Sequence, residues 1–589
     1  MPNSEVKTCQ NCKASFEIDA QDFDFYRKID VPPPTWCPQC RLQRRMTFFN
    51  ERALYKRECD MCGKSIVSMY APGKKLIVYC NSCWWSDKWD SSEYGRDYDS
   101  SKPFIAQLRD LLESTPQVAL ESNYPTLENS EYVNHAATSK NCYLIYTADE
   151  CENVLYSEIL FHDKDSMDGT MYRGSELCYG LINSDSCYKT FFSEDCESCQ
   201  EVYFSKDMIG CSYCFGCKGL RSKKYHIWNK PYNKEEYQKK ISEFRLDSRR
   251  VVEKLKKEAV AFWQKNPHKF ANALRNLNVT GDYVYSSKNS KNMYIVREGA
   301  EDCRYCSFMT MPSIKDSYDC TLWGNGIQRT YDTLIVGEGS DMVKFSERAW
   351  PNARNVEYCI FCISSSNIFG CANVRNKQYC ILNKQYSQDE FEKLKARIIK
   401  DMSERPYIDK KGRRYPYGEF FPPEMSLFGY NETYANDFFP LTEQEALAQG
   451  YNWSAEQTNP YRPTLAAAEL PDSINNVDES ILKEIIECRV CKKAYRIVPA
   501  ELSLLKRFGL PMPDKCPNCR YRERLSRVNP PVLFHRKCQC AGKGSENGVY
   551  ANTAKHRHEG KCPNEFETPY APDRPEIVYC EACYQREVV

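Results

Sequence analysis

Sixteen cysteines near the two ends of the chain carry the spacing of metal ligands. Twenty-four residues separate Cys9 and Cys12 from Cys37 and Cys40, and the same gap separates Cys488 and Cys491 from Cys516 and Cys519. Eighteen residues then lead from Cys40 to Cys59 and from Cys519 to Cys538. Tyr70-Ala71-Pro72 precedes Cys80 and Cys83, as Tyr570-Ala571-Pro572 precedes Cys580 and Cys583. The two ends are therefore copies of one another. The offset between them grows from 479 to 500, which places an insertion between Cys538 and Cys562.

A pair of thiolates two residues apart clasps one ion through a tight turn, and a second pair completes a tetrahedron. Read in order, the ligand sets are Cys9, Cys12, Cys37 and Cys40; Cys59, Cys62, Cys80 and Cys83; Cys488, Cys491, Cys516 and Cys519; and Cys538, Cys562, Cys580 and Cys583. A cross-braced arrangement, with the first and third pairs sharing an ion, fits the same spacings. In the last set, Cys540, His556 and His558 crowd the insertion and are alternative ligands. All-thiolate sites leave no open coordination position, so about four structural zinc ions are expected, each worth on the order of 10 kcal/mol of folding free energy.

Residues Cys9-Gln10-Asn11-Cys12, Phe16, Phe25-Tyr26, Pro33-Pro34 and Cys37-Pro38-Gln39-Cys40-Arg41 resemble the small family termed "probable zinc-ribbon". Cys488, Cys491, Pro511 and Cys516-Pro517-Asn518-Cys519-Arg520 resemble it again, over about forty residues at each end. The whole chain is similar to uncharacterised cysteine-rich zinc-ribbon proteins of small-genome candidate-phyla bacteria. The resemblance implies zinc and a two-ended architecture, and brings no activity with it; the duplicated ends are expected to be treble-clef-like double ribbons.

After Cys40, Leu42, Met46 and Phe49 fall at helical spacing, as do Tyr521, Leu525 and Val528 in the second copy. Such helices would present Arg41, Arg44 and Arg45 at one end and Arg520, Arg522, Arg524 and Arg527 at the other. From Met1 to Cys83 there are 13 basic and 9 acidic residues, and from Cys488 to Val589 there are 19 and 11. Arginine on a rigid helix pairs bidentately with phosphate, and Trp36, Phe48, Trp84, Trp85 and Trp89 offer faces for unpaired bases. RNA or a ribonucleoprotein is thus one expected partner. The competing reading is that the arginines make salt bridges and the tryptophans form a small core.

In the middle, Cys142, Cys151, Cys178, Cys187, Cys196 and Cys214 share a nine-residue register, with Ser205 on the same register. Brief strands with turns between them suit a parallel β-solenoid with coils of about eighteen residues. A second such segment, Asn289 to Cys380, ends as the first does at an offset of 154: Phe215-Gly216-Cys217 matches Phe369-Gly370-Cys371. Asn233 and Ser387, each three residues before a glutamate, then open helices that cap the coils. The ladder cysteines suit core packing, and Cys196, Cys199, Cys214 and Cys217 form a candidate fifth metal site. Glu131 to Cys217 holds 15 acidic and 5 basic residues, a charge that fits solvated loops, a basic protein surface or the molecule's own ends.

The fold class expected is multidomain and mainly β: two parallel β-solenoid modules with helical connectors, flanked by duplicated double zinc ribbons. The divisions fall at 1–95 and 481–589 for the ribbons, 131–230 and 286–384 for the solenoids, 96–130 and 231–285 for helical connectors, 385–402 for a capping helix, and 403–480 for an extended linker that includes Pro422-Pro423 and Pro460 through Pro463.

With 589 residues, 42% apolar and a net charge of +1, the chain is neither broadly disordered nor uniformly basic. It has no signal-peptide stretch and no run of eighteen apolar residues, so a cytoplasmic location without membrane contact is expected. There is no phosphate-binding glycine loop, no dinucleotide fingerprint and no recognisable small-molecule substrate site. Asp163, Asp165 and Asp168 faintly resemble a calcium loop or a carbohydrate-active acid set, the third reading. The leading expectation is a non-enzymatic zinc scaffold contacting RNA; the alternative is a scaffold for a protein partner or for self-association.

Overall fold

The computed structural model describes residues 4–455 and 461–588, so Pro460 of the linker lies outside the described residues. The chain forms two compact units, each built from two separated stretches. The first unit joins residues 1–120 to 273–455, and the second joins 121–272 to 456–589. Each cysteine-paired end therefore folds with a stack of parallel strands that is distant from it in sequence.

In the second unit, strands Tyr146–Asp149, Glu158–Phe161, Thr170–Arg173, Ile182–Asp185, Glu194–Glu197 and Lys206–Ile209 pair in parallel. The register advances by a constant step, from Tyr146 to Glu158, Thr170, Ile182, Glu194 and Lys206. Each turn of chain is thus twelve residues, and not the eighteen expected. The reason lies in the backbone. Every third residue is left-handed: Asn141 (φ 54°), Leu144 (52°), Thr147 (47°), Glu150 (52°) and Asn153 (56°) begin a series that continues through Tyr225. Four such corners divide each turn into four three-residue sides.

Left-handed backbone costs roughly 1–2 kcal/mol for a residue other than glycine. The ladders between turns offset that cost: the Tyr143 amide donates to Val154 O at 3.1 Å, and the Asn153 amide to Lys140 O at 2.9 Å. The residue after each corner points inward, which places Cys142, Ile145, Ala148, Cys151 and Val154 in one narrow core. Nine residues are three sides of a four-sided turn, so cysteines nine apart sit on different sides and form no single ladder.

The interior is chosen for hydrogen bonding as much as for size. The Cys178 thiol donates to Glu176 O at 3.3 Å and lies 3.6 Å from Cys187 O; Cys142, Cys187 and Cys199 make the same two contacts. Interior serines instead accept an amide from the next turn: Ser166 from Cys178, Ser175 from Cys187, and Ser205 from Cys217, at 3.0–3.1 Å. Buried backbone groups must find partners, and interior Ser and Cys side chains supply them.

The first unit holds the second stack. Its register steps are mostly thirteen residues, as in Tyr318, Tyr331 and Lys344, and become twelve at Arg354, Ser366 and Gln378. Both stacks close alike, with an antiparallel hairpin pairing Ile227 with Lys230 in one and Ile381 with Lys384 in the other. Capping boxes at Asn233 and Ser387 then start helices Lys234–Glu243 and Gln388–Glu404. Tyr237 packs near Tyr225, and Phe391 near Tyr379. The segment after residue 406 packs on the first unit through buried Tyr415, Phe420, Phe421, Tyr430 and Tyr434.

Candidate metal centres

The sixteen terminal cysteines form four clusters in sequential grouping, so the cross-braced alternative is set aside. Within each set, Cys9/12/37/40, Cys59/62/80/83, Cys488/491/516/519 and Cys538/562/580/583, all sulfurs lie within 4.8 Å of one another. The local construction repeats. A left-handed residue stands four positions after each first ligand: Lys13, Gly63, Lys492 and Gly542. The amide of the third ligand donates to the sulfur of the first at 3.2 Å in all four sets.

Sulfur separations test whether a metal fits. Cys12 and Cys37 are 3.7 Å apart, Cys62 and Cys80 3.9 Å, Cys491 and Cys516 3.7 Å, and Cys562 and Cys580 3.9 Å. A zinc–sulfur bond of about 2.3 Å gives a tetrahedron edge of about 3.8 Å. A disulfide, at about 2.05 Å, does not fit these separations. Cys37, Cys80 and Cys516 are each the N-cap of a helix, so the third ligand of these sets is fixed at a helix start. Burial opposes ionisation of Cys59, but the amides of Cys80, Cys62 and Met61 outweigh it and bring the thiol down to about 7. Cys488 is brought to about 7 in the same way, by Cys491, Cys516 and Val490. The donor sets suit structural zinc, whose tetrahedral thiolate shell would tie each turn to its helix.

Cys540, His556 and His558 also converge, with Cys583 as the fourth member of their cluster. The proposed set Cys196, Cys199, Cys214 and Cys217 does not. Cys196 stands opposite Met208 and Cys214 opposite Val202, because a twelve-residue turn separates the pairs that an eighteen-residue turn would stack.

The arginine helices are the largest correction. Arg41, Arg44 and Arg45, on helix Pro38–Met46, are at most 1% exposed. Arg41 pairs with Asp319 at 2.8 Å, Arg44 with Asp332 at 2.8 Å and Glu419 at 2.9 Å, and Arg45 with Asp332 at 2.6 Å and Asp319 at 3.2 Å. At the other end, Arg520 pairs with Glu501 at 2.8 Å and Asp168 at 3.2 Å, and Arg524 with Asp168 at 2.9 Å. Arg527 pairs with Glu194 and lies over Trp263, while Arg522 is exposed. Asp168, Asp319 and Asp332 all occupy left-handed corners of the coils, a conformation that aspartate tolerates.

The aromatic faces are likewise committed. Trp36, Phe48, Trp84 and Trp89 are buried, with Arg44 over Trp36 and Arg375 over Trp84 and Trp89; only Trp85 of the five is exposed. Asp163 accepts the amides of Phe161 and Ser175, and Asp165 pairs with Arg507, so the three aspartates have separate structural duties. Sequence reasoning missed the carboxylates that receive the arginines. The signal was an arginine pair four apart at corresponding places in both copies, Arg41/Arg45 and Arg520/Arg524, together with aspartate recurring in the coils.

No protein-family model matches the chain, and no curated protein matches it. No helix among the described residues is long and apolar enough to cross a membrane.

Proposed function

We propose that this chain is a non-enzymatic scaffold stabilised by structural zinc, in which a double zinc ribbon at each end clamps a β-solenoid and the assembly works by binding protein. The resemblance of residues 9–41 and 488–520 to zinc ribbons supports the identity of the ion, as do the all-thiolate donor sets. The observation that carries the choice of partner is the internal pairing of Arg41, Arg45, Arg520 and Arg524 with Asp319, Asp332 and Asp168. Guanidinium groups that are buried and neutralised by carboxylates are out of reach of phosphate. A protein, or a second copy of the chain, is therefore the favoured partner over RNA.

Metal analysis of the purified protein, with pull-downs run with and without nuclease, tests both parts. The expected result is zinc in the preparation and partners that survive nuclease. Binding of labelled RNA that weakens steeply with salt would return the function to nucleic acid. Absence of any transition metal would remove the scaffold's basis.

A further inference from the structure

We propose that the C-terminal end holds a binuclear zinc cluster, in which Cys583 bridges an ion bound by Cys538, Cys562 and Cys580 to a second ion bound by Cys540, His556 and His558. The inference rests on the zinc reading of the first of these sets and adds a fifth ion to it. Cys583 belongs to both clusters, and in each cluster all ligand atoms lie within 4.8 Å of one another. Cys583 Sγ is 3.7 Å from Cys562 Sγ on one side and 3.2 Å from His558 Nε2 on the other. Cys540 Sγ is 3.5 Å from His556 Nδ1. Zinc bonds of about 2.0–2.1 Å to nitrogen and 2.3 Å to sulfur give a nitrogen–sulfur edge of roughly 3.5 Å.

Both histidines are oriented as ligands. His556 turns Nε2 to Glu587 at 2.8 Å, with both side chains 1% exposed, and so presents Nδ1 to Cys540. Glu587 is itself fixed by the Thr553 amide, the Ala554 amide and the Tyr550 hydroxyl, at 2.9–3.2 Å. His558 gives Nδ1 to Gly560 O at 2.7 Å and so presents Nε2 to Cys583. A carboxylate or carbonyl on the far nitrogen is the usual support of a metal-binding imidazole. The Asn552 amide donates to Cys540 Sγ at 3.3 Å, as the Asn564 amide does to Cys580 Sγ at 3.2 Å.

Charge favours the pair. Four thiolates around one zinc carry a formal charge of minus two, whereas five thiolates, two neutral imidazoles and two zinc ions carry minus one. The three added ligands also lie within the one insertion that distinguishes this copy, between Cys538 and Cys562. The N-terminal counterpart, Cys59, Cys62, Cys80 and Cys83, has no such segment and forms a single cluster.

Zinc per chain in the full-length protein distinguishes the possibilities. Five ions are expected for the natural chain, four for Cys540→Ser and three for Cys583→Ser, since a bridging thiolate serves two ions. Four ions in the natural chain, unchanged in Cys540→Ser, would overturn the inference while leaving the zinc reading intact; no zinc at all would sink that reading itself. Should Cys583→Ser fail to fold, cobalt substitution of the natural chain decides. Two cobalt ions sharing a thiolate couple magnetically, so the paramagnetic signal should be lower than that of five isolated ions, and a signal equal to five isolated ions would overturn the bridge.

Discussion

At the scale of single residues, the buried arginines decide how each cysteine-paired end attaches to its stack. Arg45 has no exposed surface and lies between Asp319 and Asp332, with its Nε donating to Thr321 Oγ1 at 3.0 Å. Arg45→Met leaves two buried carboxylates facing an apolar chain, and loss of about 3–5 kcal/mol is expected. Adding Asp332→Asn should recover part of that loss. Denaturant unfolding followed by tryptophan fluorescence reads it, because seven of the nine tryptophans lie in the first unit. No recovery in the double variant would mean that packing, and not charge, sets the cost.

His268 gives a second residue-scale expectation. Burial, then the positive charges of Lys218, Lys206 and Arg574, hold its pKa well below the ordinary 6.5. The folded protein keeps the ring neutral where the unfolded chain protonates it. Its stability contribution is therefore intact above about pH 6.5 and lost progressively as pH falls below that value. His268→Gln should flatten the fall in melting temperature between pH 7 and 5.5 relative to the natural chain. Parallel profiles for the two proteins would exclude His268 as the cause.

At the scale of elements, the three-residue side explains the abundance of cysteine. Thiols and hydroxyls inside the coils satisfy backbone groups that neither water nor an aliphatic side chain would reach. Ser205 accepts the Cys217 amide at 3.0 Å and donates to Tyr203 O at 2.9 Å, so Ser205→Ala is expected to cost about 1–3 kcal/mol. Cys178→Ser keeps the donor that serves Glu176 O and should cost less than Ser205→Ala. Comparison of denaturation midpoints tests the ranking, and equal costs would show that size alone governs these positions. The element scale also marks where the sequence was opaque. Recurrence every nine residues was visible because cysteine is conspicuous, yet the unit is three. Serine, valine, isoleucine and leucine share the interior with cysteine, and the left-handed corners accept leucine, threonine and tyrosine as well as asparagine, so composition does not announce them. The capping boxes at Asn233 and Ser387 were readable because two side chains and two amides specify them locally.

At the scale of the whole molecule, the duplicated cysteine spacing located all four tetrads, since metal ligation tolerates few spacings. What it left hidden was which distant segment each end would grip, because the arginine–aspartate pairing is separated by 274 to 356 positions and leaves no local pattern. If the tetrads hold zinc as proposed, its removal should therefore act at a distance from the ions. Cys37 and Cys516 start the arginine helices, so chelation should release Arg41, Arg45, Arg520 and Arg524 from their carboxylates. Trypsin followed by mass spectrometry is expected to find cleavage at these four positions after chelation and protection in the zinc-loaded protein. Cleavage elsewhere, with these four still protected, would show that the helices hold without metal.

The separation between each arginine and its aspartate also has a temporal side. A ribosome adding about 5–20 residues per second brings Asp332 out roughly 15–60 s after Arg45. The earlier stack waits longer still, since 356 positions separate Asp168 from Arg524. Throughout that interval a nascent chain displays unpaired acidic coils and an idle basic helix, and chaperones, or early capture of zinc by the first tetrads, would govern how many chains mature correctly.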